Sequence, residues 1–114
     1  MRRQELLDEL LAAHEGPLHG RLRLSEVHGK EAGQVALALE VIESLLRDAL
    51  VVHLAPGSPM INQDRQREIQ AWARARAPRS LFRGLRTLRE AHAAQVVNIS
   101  GRVILERVYM QICA

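Results

Sequence analysis

The stretch KEAGQVALALEVIESLLRDALVVHLA, residues 30–55, constrains the fold of this 114-residue chain more than any other. Val35, Ala38, Leu39, Ile42, Leu45, Leu46, Ala49, Leu50 and Val52 recur in it at helical spacing. They cover a sector of the helix too wide to be buried against one neighbour. The run therefore predicts a central helix in contact with several others.

The remaining segments read as helices with short connections. RRQELLDELLAAH places Leu6, Leu7, Leu10 and Leu11 on one face, and Gly16-Pro17 ends that helix because proline cannot continue it. Residues 18–29 stay open: Leu18, Leu22 and Val27 suit a short helix, while Gly20 and Gly29 weaken it. PGSP, residues 56–59, is the clearest loop. In INQDRQREIQAWARAR, Asn62 is expected to cap a helix and Asp64 to favour its first turn. Pro78 fits the first turn of the next helix, where Leu81, Leu85 and Leu88 share a face with His92. That position predicts a core or boundary histidine. Ser100 is expected to cap a last helix from about Gly101 to Ile112, which is apolar around most of its circumference. The only strand-like fragment, VVNI, is too short and has no partner. The fold class is all-α, one compact bundle of about five or six helices.

Composition agrees. Hydrophobic residues make up 47% of the chain, yet it holds one Trp, one Tyr and one Phe, so the core must be aliphatic. Cys113 is the single cysteine, which excludes an internal disulfide and a thiolate zinc site and fits a reducing, cytosolic setting. No secretory leader is recognisable in the charged residues 1–15, and no run is long and apolar enough to span a bilayer.

Catalytic and cofactor patterns are missing. The nearest approach to a phosphate-binding loop is Gly29-Lys30, with Leu24 where the first glycine belongs and Glu31 where Ser or Thr belongs. His14, His19, His28, His53 and His92 never pair at metal-ligand spacing. Glu40, Glu43 and Asp48 form no evident catalytic pair, a solvated face accounts for Glu40 and Glu43, and Cys113 lacks an activating base. No cofactor and no enzymatic activity is expected of this chain.

Two features remain. Charge is uneven: residues 1–57 carry six basic and nine acidic side chains, and residues 58–114 ten and four. The basic surface is Arg65, Arg74, Arg76, Arg79, Arg83, Arg86 and Arg89, with Arg67 among them and Glu68 the one acid in that span. These could meet nucleic-acid phosphates. They lie on two helices around a short turn, but the second helix offers nothing to read base edges, and no aromatic residue is interleaved for stacking. A solvated face or an acidic protein partner is the competing explanation. The other feature is surplus apolar surface on residues 34–55 and 101–112, part core and part subunit interface.

Residues 35–113 resemble the C-terminal helical domain of the delta-prime subunit of the bacterial DNA polymerase III clamp loader. Leu46-Arg47-Asp48 matches a Leu-Arg-Asp core in a long helix, although an aromatic residue often stands where Leu45 is. Ile61, Asn62 and Asp64 match an Ile-Asn-x-Asp turn; Asn98, Ser100, Leu105 and Glu106 match the closing polar turn and apolar helix. Related gamma/tau subunits share that closing pattern, so a gamma/tau collar domain is an alternative.

The resemblance implies a collar-type assembly domain, residues 1–114, cut from AAA+ domains that precede it in the parent protein. Those domains carry the ATP-driven chemistry of a holoenzyme that is itself a DNA-directed DNA polymerase. The expected partners are the collar domains of gamma/tau and delta in the bacterial cytoplasm, with DNA contact indirect or weak and no membrane. Self-association of the isolated fragment is a further option. The candidate subunit interface is Leu46, Arg47, Asp48, Leu50, Asn98, Leu105, Val108, Tyr109 and Ile112.

Overall fold

A computed structural model describes residues 3–13, 32–96 and 100–112. Five α-helices are present among them: α1 (Arg3–Ala13), α2 (Ala32–Leu54), α3 (Gln66–Arg74, preceded by a 3-10 turn at Gln63–Arg65), α4 (Pro78–Val96) and α5 (Gly101–Ile112). The described residues contain no strand. The expected all-α bundle is thus observed. Residues 18–29, His14, Asn98 and Cys113 lie outside the described residues.

The wide stripe of α2 has the predicted consequence. This helix packs against all four others. Val35, Ala38, Leu39, Val41, Ile42, Leu45, Leu46 and Ala49 are buried, and Leu50 and Val52 lie half-buried against the same core. The four leucines of α1 cover one side of α2. Ile69 and Trp72 of α3 cover another, and Leu81, Leu88 and Ala91 of α4 a third. The most extensive pairing is α4 with α5, two helices joined by a short link.

Helix ends follow local chemistry. Pro78 opens α4, and the Ala77 carbonyl accepts the Ser80 and Leu81 amides. Ser100 holds the N-cap position of α5, its carbonyl accepting the Ile104 amide at 3.1 Å. After α2 the chain turns through Gly57 at φ 88°, a left-handed conformation that costs glycine little.

Two expectations are corrected. Asn62 precedes the 3-10 turn, but its side chain makes no capping bond there: its Oδ1, the atom a cap would use, accepts from Arg3 instead (below). His92 shares the helical phase of Leu81 and Leu88 yet is exposed, the buried face at that turn being held by Ala91.

Gly84 sits where α4 crosses α2 and α5. A Cβ there would lie 3.2 Å from a Leu46 methyl and 3.4 Å from Ile112. Gly84→Leu is expected to overpack the crossing and cost about 1–3 kcal/mol, measured by urea denaturation.

Candidate assembly surface

The Leu-Arg-Asp and Ile-Asn motifs turn out to be two halves of one contact. Asp48, 1% exposed, lies on α2 under the segment that follows the α2–α3 loop. Its Oδ1 accepts the Ile61 amide at 2.6 Å and its Oδ2 the Asn62 amide at 2.8 Å. The Asn62 side-chain amide donates to the same Oδ2 at 2.8 Å and to Ser44 Oγ at 3.2 Å. Ser44 donates in turn to the Val41 carbonyl at 2.7 Å. Arg3 of α1 closes the network, donating to Ser44 Oγ at 3.0 Å and to Asn62 Oδ1 at 2.9 Å. Buried polar atoms thus satisfy one another in a latch between α1, α2 and the entry to α3.

This sorts the candidate interface residues. Asp48 is a structural group, buried in the latch. Leu46, Leu105, Val108, Tyr109 and Ile112 are buried in this chain's own core, with Leu105, Val108 and Tyr109 at 0% exposure. Arg47 is exposed and paired with Glu43 at 3.2 Å, one helical turn away. The apolar groups α5 turns outward are Val103 and Met110, seven residues apart on the face that also carries Arg107. Helical periodicity over 101–112 held the signal for this division, but a nearly all-apolar helix made its two sides look alike.

The arginines divide as well. Arg65 joins three segments: it pairs with Asp8 of α1 and with Glu68 at 2.7 Å, and donates to Gln4. Its hydrogen bond and charge hold the Glu68 carboxyl below the usual carboxylate range, and Glu68 raises the guanidinium above its ordinary value. A carboxyl lowered in the folded state stabilises it above the unfolded pKa, and that contribution fades as pH falls through the folded one. Arg65→Gln is expected to cost less than about 1 kcal/mol at neutral pH, because both acids are more than half exposed. In an acid titration of stability the difference from the native chain should shrink below the carboxylate range.

Arg76 is likewise occupied. It lies 3.8 Å over the Trp72 ring, donates to the Trp72 carbonyl at 3.0 Å, and donates to the Ile112 carbonyl at 3.2 Å. It therefore closes the C-terminal ends of α3 and α5 together. His53 assists by donating from Nε2 to the Ala73 carbonyl at 2.8 Å. Sequence alone had no signal for His53, whose partner lies twenty residues away.

Arg74, Arg79, Arg83, Arg86 and Arg89 remain exposed, and no carboxylate pairs with them among the described residues. The count of interleaved aromatics is also corrected. Phe82 stands 52% exposed within this row of arginines.

No group of metal-ligating side chains forms among the described residues, and no described helix is long and apolar enough to cross a membrane. No curated protein and no solved structure matches the chain. A family model does, over residues 1–103: DNA polymerase III, delta subunit, C terminal. The match takes in α1, which the motif resemblance did not reach, along with both halves of the Asp48 latch. With nearly the whole chain covered and the five helices closed around one core, this protein belongs to the family formed by the C-terminal domains of DNA polymerase III delta subunits, which are clamp-loader components.

Proposed function

We propose that this chain is a non-catalytic assembly domain of the delta-prime type. It packs against the collar domains of gamma/tau and delta in the bacterial cytoplasm, while AAA+ domains elsewhere in the parent protein carry the ATP-driven work. The observation that carries the clamp-loader role is the family match over residues 1–103, to the C-terminal domain of the delta subunit. The delta-prime type is inferred from the Leu-Arg-Asp, Ile-Asn-x-Asp and closing motifs, whose last part gamma/tau subunits share. The outward apolar groups support packing on other subunits: Val103 and Met110 on α5, and Leu54 and Ile61 flanking the α2–α3 loop, are all exposed. The buried latch side chains Ser44, Asp48 and Asn62, by contrast, hold the module in shape.

Chimeric subunits test the assignment. This domain is joined to the AAA+ domains of delta-prime in one reconstitution and to those of delta in another. Assembly of a clamp-loading complex with the first chimera alone is the expected result. Assembly with the delta chimera alone would move the domain to the other subunit, and assembly with neither would remove the proposal.

A further inference from the structure

The face of α4 turned away from the core has a composition that ordinary solvation does not require. Phe82 is the chain's single phenylalanine, and it is 52% exposed. Arg79 stands three residues before it, and Arg83, Arg86 and Arg89 one, four and seven after it. At 3.6 residues per turn these side chains share one side of the helix. None of the four arginines has an ion pair among the described residues; the nearby acid, Glu90, is taken by Arg107 at 2.7 Å. Phe82 is thus left half-exposed on a side of α4 whose arginines have no ion pair among the described residues.

We propose that this face docks an acidic helical surface of a neighbouring clamp-loader subunit, with Phe82 as its apolar anchor. The inference rests on the assembly role above. Aromatic residues and arginine are the types that concentrate at protein interfaces, and a buried anchor encircled by polar contacts that exclude water is the usual anatomy of a binding hot spot. Charge selects the partner. Arg79, Arg86 and Arg89 rise along the helix by about 10 and then about 5 Å, a ladder that carboxylates one and two turns apart on another helix can meet. Guanidinium forks bind such carboxylates bidentately. Single-stranded nucleic acid fits less well. It is held in grooves where several aromatics stack successive bases, whereas one ring on a convex helix can hold one base at most.

The test uses the full chain with purified gamma/tau and delta subunits, titrated by light scattering at low and at several-fold higher salt. Phe82→Ala and Arg86→Glu are compared with the native chain, and Arg67→Glu on α3 serves as the control. Circular dichroism checks that each variant is folded, as the exposure of all three sites leads one to expect. The expected result is about tenfold weaker binding for Phe82→Ala, a similar or larger loss with a flattened salt dependence for Arg86→Glu, and little change for Arg67→Glu. Subunit binding that survives both α4 substitutions would overturn this inference and leave the assembly role standing. No binding to any subunit would remove both. Steeply salt-dependent binding to oligo-dT, lost in Arg86→Glu and without any subunit binding, would assign the face to nucleic acid instead.

Discussion

Asp48→Ala is expected to cost the fold about 3–5 kcal/mol, a large part of what a domain of this size has. The carboxylate accepts three hydrogen bonds, two of them from backbone amides at Ile61 and Asn62. Alanine leaves these donors facing an apolar helix. The penalty is that of burying unpaired polar groups rather than of losing average hydrogen bonds. The loss should also spread, because Asn62 links Asp48 to Ser44 and Arg3. Asp48→Asn keeps one acceptor but turns an amide NH2 toward donors, so an intermediate loss of about 2 kcal/mol is expected. Arg3→Met should cost less than either, since Arg3 is only half-buried and donates to two side chains rather than holding backbone amides. Guanidinium denaturation followed by circular dichroism measures all three. An Asp48→Ala loss below about 1 kcal/mol would mean that the latch is dispensable.

Leu105→Ala and Val103→Asp, two residues apart on α5, are expected to fail in opposite ways. Leu105 is 0% exposed, so truncation removes buried methyl groups and opens a cavity at the α5–core contact. The expected cost is about 2–5 kcal/mol. Val103 is 56% exposed and touches water in the isolated domain. A charge there should shift stability by less than about 0.5 kcal/mol, yet weaken subunit binding roughly tenfold if that side of α5 lies in an interface core. Thermal melts read the first effect and binding titrations the second. A Val103→Asp chain that binds as well as the native one would take α5 out of the assembly surface.

Much of the fold could be read in the sequence because helical periodicity is a local property. The breadth of the α2 stripe predicted a central helix, Pro78 predicted a start, and PGSP predicted a break. The site was harder to read because its decisive contacts are long-range. Asp48 looks like one more acid beside Glu40 and Glu43 until Ile61 and Asn62 are folded onto it, thirteen and fourteen residues on. Arg65 and Arg76 are indistinguishable by sequence from Arg79 and Arg86, and only their partners in α1 and α5 separate them. Phe82 falls outside the apolar phase of α4 set by Leu81, Leu85 and Leu88, a local signal masked by the leucines around it.

The central claim is that this domain is built to be part of an assembly. Light scattering of the full chain mixed with gamma/tau and delta subunits tests it most directly. The expected result is a new species whose mass is the sum of the subunits, with Arg86→Glu weakening its formation if the α4 face is the docking surface. A mixture that remains as separate species at tens of micromolar, an affinity weaker than about −6 kcal/mol, would contradict it.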